Sequence, residues 1–287
     1  MAFQSKLKSL VPRRTQFQTK IKMLSGGYAK PDAFPNGEIT IYPWDTNIDD
    51  WLADRLKKGE QSMVLYDLCA KLCDLGTCPL DNFVIGDVNT VLLVARSLRY
   101  ASRVEYEARC PACNNRELES IRVPDELGRI GEKTQDYPGF DEITLPDCQD
   151  VIRVRPLTVH DERVINQRDD VSKALMTDHI MHILIPIVSI NDGKPDSWEQ
   201  ALQWFNAISP QDAAYLEAQE NQLYPHLDTD IPHRCDKCST EFRHTLDFSQ
   251  EFFRRGLKPG KGAAMANDVR PGNEQQKPGG SAERPAG

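Results

Sequence analysis

Two short stretches constrain this chain more than any other, Cys110-Pro111-Ala112-Cys113 and Cys235-Asp236-Lys237-Cys238. Each C-x-x-C is flanked by alternating apolar and polar residues. Val104, Tyr106 and Ala108 precede the first, and Leu118, Ile121 and Val123 follow it. Ile231 precedes the second, with Phe242, Thr245-Leu246 and Phe248 after it. Such alternation on both sides of a tight turn predicts a strand, a knuckle and a returning strand, written twice. A C-x-x-C knuckle aims both thiolates to one side, as half of a tetrahedral zinc site with Zn–S near ~2.3 Å requires. Two halves complete a closed four-thiolate site, which is structural because no position is left for water or substrate. Cys110, Cys113, Cys235 and Cys238 are therefore the expected ligands of one zinc per chain. The gap between the knuckles is far longer than the ~15–20 residues of common four-cysteine sites.

Duplication accounts for that gap. Asp87 lies 23 positions before Cys110 and Asp212 lies 23 before Cys235 (110 − 87 and 235 − 212), each at the start of an expected helix. Further upstream, Glu38-Ile39-Thr40-Ile41-Tyr42-Pro43-Trp44-Asp45-Thr46 echoes Asp150-Val151-Ile152-Arg153-Val154-Arg155-Pro156-Leu157-Thr158. Both read as a strand, a Pro, a capping Thr and then acidic residues, Asp49 and Asp50 or Asp161 and Glu162. The expected fold class is α+β, two pseudo-repeated units (strand, helices, strand–knuckle–strand) sharing one zinc-ribbon-like four-cysteine site.

The order along the chain then divides as follows. Residues 1–35 form a basic extended arm, 36–124 the first unit, 125–149 a linker, 150–256 the second unit, and 257–287 a Gly/Pro-rich tail without apolar content. In the arm, Phe17, Thr19, Ile21 and Met23 alternate like a strand with no partner of its own, suited to extending another subunit's sheet. Unit one reads as the strand Ile39 to Tyr42, a helix from cap Thr46 to Gly59, a helix from Met63 to Gly76, and a third from Val88 to Tyr100. Pro124, Gly128, Gly131, Pro138, Gly139 and Pro146 mark the linker. Unit two opens on Val151 to Arg155 and a helix capped by Thr158. A long helix from Val171 to Val188, ended or kinked by Pro186, comes next. Asn191-Asp192-Gly193 is a turn, Trp198, Leu202 and Phe205 mark a helix, and Ser209-Pro210 starts another.

With 287 residues, the chain is long enough for a real core. No run reaches the ~20 apolar residues of a membrane span, and the basic N-terminus lacks a secretory signal's apolar region. Eight cysteines without such a signal fit a reducing compartment, where metal binding is favoured over disulfides. Cys69 and Cys73 fall at helical spacing on an apolar stripe and read as core, while Cys78 and Cys148 fall in loops. Net charge is −8, yet residues 1–30 carry seven cations (Lys6, Lys8, Arg13, Arg14, Lys20, Lys22, Lys30) and no acid, leaving −15 for the rest. A basic arm on an acidic body suits docking on a neighbouring acidic subunit.

Catalytic patterns are missing from the sequence: it contains no phosphate loop, dinucleotide fingerprint, G-x-S-x-G or H-E-x-x-H. His179 and His182 read as core residues of their helix, and His233 and His244 as neighbours of the second knuckle. The acidic pairs in first helical turns complement the helix dipole better than they would form a catalytic dyad. Arg109, Arg116, Arg122, Arg234, Lys237 and Arg243 surround the knuckles, but Glu105, Glu107, Glu117, Glu119, Asp236 and Glu241 interleave with them. A nucleic-acid face is more one-signed, which argues against a nucleic-acid-binding ribbon.

The sequence of anchors comprises Gly26-Gly27, Pro35-Asn36-Gly37-Glu38-Ile39-Thr40-Ile41, the strand–Pro–Thr/acidic helix start, and Asp87 with Leu98-Arg99-Tyr100 before the first knuckle. The second knuckle and Phe252-Phe253-Arg254 complete it. Spanning about residues 24 to 256, this pattern resembles the baseplate hub proteins of T-even-type contractile bacteriophage tails. The resemblance implies a non-enzymatic protein of the virion, assembled in the host cytoplasm with other baseplate and tail-tube proteins in multiple copies. An assembly chaperone absent from the mature virion is the alternative within that family. The basic arm and the Gly/Pro tail depart from the family pattern.

Overall fold

Short alternating segments build the first hairpin. Thr19–Lys22 (β1) and Glu38–Ile41 (β2) run antiparallel, with Thr19 opposite Ile41 and Lys22 opposite Glu38. The computed structural model describes residues 18–58, 63–100, 102–168 and 177–246, all within the unit Met1–Phe253. The expectations for residues 1–17, Gly59, 169–176, Phe248, Phe252-Phe253 and the 257–287 tail lie outside these. The arm's strand has its partner in its own chain, not on another subunit. Met23 and Leu24, just after β1, are buried among the first core residues, and this anchors the strand beside β2.

Asp45 caps the helix Thr46–Lys57 (α1), its carboxylate accepting the Ile48 N–H at 3.0 Å. The expected cap, Thr46, is the first helical residue instead, since the Asp45 carboxylate already satisfies the orphan amide. Val64–Leu72 (α2) ends by returning to β2, where Tyr42 N–H donates to the Leu72 carbonyl at 2.7 Å and Asp74 N–H to the Thr40 carbonyl at 2.9 Å. Ile85–Tyr100 (α3) buries Val88, Val91, Leu92 and Ala95 as the centre of the first core. Arg103–Arg109 (β3) and Arg116–Arg122 (β4) form the first knuckle hairpin, with Val104 opposite Ile121. Leu118, expected on the apolar face, faces outward opposite Glu107 and is 74% exposed.

The stretch expected as a linker contains two strands, Gly128–Ile130 (β5) and Asp141–Thr144 (β6). Its Gly and Pro residues shape turns between them, and Ile143 and Leu145 carry the segment into a second core. β6 pairs with Val151–Val154 (β7), and the helix Val159–Asn166 (α4) follows behind a capping box of Thr158 and Asp161. The long helix expected over 171–188 is, in its described part, Asp178–Leu184 (α5). Beyond Pro186 the β-branched Ile187, Val188 and Ile190 favour extended backbone. Ile187–Ile190 (β8) accordingly joins β7 as a third strand. Trp198–Ala207 (α6) starts on Ser197, and Pro210–Leu223 (α7) starts on Ser209, as its sequence predicts. His226–Asp228 (β9) pairs back with β5, and Asp230–Arg234 (β10) with Glu241–Thr245 (β11) makes the second knuckle hairpin. The fold is thus mixed α+β with small antiparallel sheets and, among the described residues, seven α-helices.

Several local arrangements occur in both halves. β1–β2 is closed by Met23 N–H to the Gly37 carbonyl at 2.8 Å, and β6–β7 by Leu145 N–H to the Asp150 carbonyl at 2.9 Å. Past each first strand, a loop amide is held by a buried carboxylate in the first turn of a later helix. Ser25 N–H donates to Asp87 at 3.1 Å, while Asp147 and Cys148 N–H donate to Asp212 at 2.9 and 3.1 Å. The helix caps fall seven residues after the strand starts, at Asp45 and Thr158 (45 − 38 and 158 − 151). By this spacing Glu38 lines up with Val151, one residue away from the sequence match of Glu38 with Asp150.

Two apolar clusters fill the interior. One gathers the elements from Met23 to Leu127 and takes in Val159, Leu227 and Leu246 from later in the chain. The other lies wholly between Ile143 and Leu216 in its buried members. Through Leu246 and the partly buried Ile231, the second knuckle hairpin packs on the first cluster and so comes to lie beside the first hairpin. Among the described residues, no helix is long and apolar enough to cross a membrane.

Candidate metal centre

The two knuckles are built by the same bonds. Cys110 N–H donates to the Asn115 carbonyl at 2.9 Å and Asn114 N–H returns to the Cys110 carbonyl at 2.9 Å. In the second knuckle, Cys235 N–H reaches Thr240 at 3.0 Å and Ser239 N–H reaches Cys235 at 2.8 Å. Each turn closes through a left-handed residue four positions after its first cysteine, Asn114 with φ 56° and Ser239 with φ 58°. Asn adopts that region at little cost because its side chain can bond locally; Ser is less suited to it.

The hairpins bring together all four expected cysteines. Cys110 Sγ lies 3.5 Å from Cys238 Sγ, and Cys113 Sγ lies 3.6 Å from Cys235 Sγ. All four sulfurs fall within 4.8 Å of one another. A tetrahedral ion with bonds near 2.3 Å holds its sulfurs roughly 3.8 Å apart. The set therefore has the dimensions to bind a metal ion, with one short contact from each hairpin to the other. Cys110 and Cys235 are buried and Cys238 is exposed, so the cluster closes the tips of the hairpins at the surface. Its thiols differ in acidity. The Thr240 hydrogen bonds pull the Cys238 thiol below its ordinary value, whereas burial pushes Cys235 above it.

A tie between the hairpins runs just behind the sulfurs. Glu117 Oε1 on β4 accepts the Asp236 N–H of the second knuckle at 3.0 Å and Asn115 Nδ2 at 2.7 Å. Below it, Tyr106 stacks on His244 with ring centroids 4.9 Å apart, and its hydroxyl lies 3.2 Å from His233 Nε2. His233 in turn stacks on Phe242 at 5.4 Å. The two histidines flanking the knuckle thus pack between the hairpins.

The other candidates take structural partners. Cys69 and Cys73 are buried with sulfurs 4.0 Å apart, Cys78 is buried, and Cys148 is exposed in its loop. His182 bonds Glu162 at 2.8 Å, which raises its pKa, and the exposed His179 faces Glu217 at 3.3 Å; neither is the core histidine expected. The acidic pairs separate. Asp49 accepts from Trp44 at 2.9 Å and Arg99 at 3.0 Å, and Asp161 takes a two-pronged bond from Arg155 at 2.6 and 2.8 Å. Around the knuckles the outward charges interleave, with Arg116 paired to Glu107 at 3.2 Å.

Sequence reasoning missed the grouping of Glu117, Glu119 and His233, whose ligand atoms also lie within 4.8 Å of one another. The i, i+2 spacing of the two glutamates on a strand was the available signal; the third member comes from a hairpin more than a hundred residues away. Compared with known proteins, the chain matches no family model, no curated protein and no solved structure.

Proposed function

We propose that this chain is a non-enzymatic structural component of a contractile phage tail baseplate, built from two copies of one unit and clasped by one structural zinc. The closed four-cysteine cluster, joining hairpins from distant parts of the chain, carries this reading. Four thiolates satisfy a tetrahedral ion, so the site lends itself to cross-linking rather than to activating water. Zinc, with its preference for thiolates in tetrahedral array, suits the set. The shared hairpin closures, the buried aspartates Asp87 and Asp212 and the matching knuckle bonds support duplication, with the metal at the point where the two copies meet. The order of anchors that resembles the tail hub proteins supplies the assembly context, with baseplate and tail-tube proteins as the partners. A basic N-terminal segment ahead of an acidic body suits contact with neighbouring subunits.

Mass spectrometry of purified virions tests the reading. Presence of the chain in fixed ratio to the tail proteins is the expected result. Its absence from particles that require its gene would make it an assembly factor, and its retention on DNA with a steep salt dependence would replace the structural role with a nucleic-acid one.

A further inference from the structure

Behind the four sulfurs, a second set of metal-binding side chains converges. Glu117 and Glu119 alternate along β4, so both carboxylates leave the same face of the strand. That face is turned toward the second hairpin, whose His233 comes within reach of both, with one ligand atom from each residue inside 4.8 Å of the others. Two like charges on adjacent same-face positions repel. Among the described residues, neither carboxylate has a lysine or arginine partner, although Glu107 on the outward face of the same hairpin pairs with Arg116.

Two of the three groups are held before any ion arrives. Glu117 Oε1 is fixed by Asn115 and the Asp236 amide, and the same carboxylate lies against the Cys235 thiol. The His233 ring is stacked on Phe242 and set edge-on against Tyr106, with the Tyr106 hydroxyl on Nε2. Outer partners of this kind orient metal-binding histidines. Glu119 is exposed and makes no hydrogen bond among the described residues, so it can swing the remaining distance.

We infer that Glu117, Glu119 and His233 form a second metal site, for a divalent first-row transition ion of the zinc type. A borderline imidazole nitrogen joined by two harder carboxylate oxygens suits such an ion. Three protein ligands leave a position open, so this site exchanges its ion and can accept a further ligand, unlike the closed thiolate cluster. It does not depend on that cluster holding zinc.

Tag-free full-length protein, reduced and stripped of metal, would be titrated with Zn²⁺ and, in parallel, with Co²⁺, whose thiolate complexes absorb far more intensely than its oxygen/nitrogen complexes. The expected result is two equivalents bound, one with the thiolate spectrum and a weaker one without it. Glu119→Gln, an exposed substitution that leaves packing intact, and His233→Gln should each abolish the weaker equivalent and keep the thiolate band. A single thiolate equivalent in the wild type would overturn the second site, as would a second equivalent that survives both substitutions. A weak equivalent without any thiolate band would uphold this site and refute the four-cysteine reading instead.

Discussion

Buried charge decides the most informative single-residue effects. Glu220, in the last turn of α7, is buried, and its Oε1 has no hydrogen-bond partner among the described residues. Burial raises its carboxyl to about 9, so the folded chain holds a proton that an unfolded chain releases near ~4.3. The folded state binds more protons across that interval, so stability must fall as pH rises from about 4.5 through 9. Glu220→Gln keeps the shape and removes the ionisation. It should flatten the decline and stabilise the protein at pH 8 by roughly 1–3 kcal/mol. Urea unfolding of both proteins across this range is the measurement, and parallel pH profiles would refute the assignment. Nothing in the local sequence marks Glu220, because a glutamate in a helix is ordinarily solvent-facing. The four clustered cysteines, by contrast, were legible from spacing alone, since a C-x-x-C turn specifies its own geometry.

Elements with their own periodicity or caps were equally legible: the knuckle hairpins, the helix starts at Thr158 and Ser209, and the apolar face of α3. The short strands were not. β5 and β6 run three and four residues, and their pairing depends on β9 and β7, so local Gly and Pro content read as slack. β1 was misjudged for a related reason. Its alternation was visible, but its partner β2 lies across a long loop. The correction changes what truncation should do. Removing residues 1–17 should leave the melting temperature within a few degrees of the full chain. Removing 1–30 deletes β1 together with Met23 and Leu24, which are 3% and 0% exposed. Loss of buried Leu- or Met-sized side chains costs about 2–5 kcal/mol each, so that truncation should be grossly destabilised or insoluble. Thermal melts of the two truncations decide it, and a stable 31–287 fragment would show β1 to be dispensable.

At the scale of the whole molecule, the second knuckle hairpin crosses to the first apolar cluster while its own half keeps a separate core around Ile152 and Leu216. Metal removal should therefore act unevenly. Structural zinc in isolated finger peptides is worth about 10–16 kcal/mol because those peptides have little else. Here both clusters persist without it, so extraction should cost only a few kcal/mol. Hydrogen exchange should quicken in β3, β4, β10 and β11 while α4 and β7 stay protected. Uniform loss of protection would mean that the metal holds the entire fold, and no change would mean that the hairpins need no clasp.

The distance between the half-sites has a bearing on biosynthesis. Cys235 leaves the ribosome 125 residues after Cys110 (235 − 110), so the earlier pair of thiols must wait, unsealed, until nearly all of the described chain has been made. During that wait Tyr106 and Glu117 lack the hairpin whose His233, His244 and Asp236 they meet in the finished molecule. A metal held by the four sulfurs would then be captured late, so its binding would register completion, and any product ending before its second knuckle would keep two thiols without their partners, a mark by which a cell can recognise an unfinished chain.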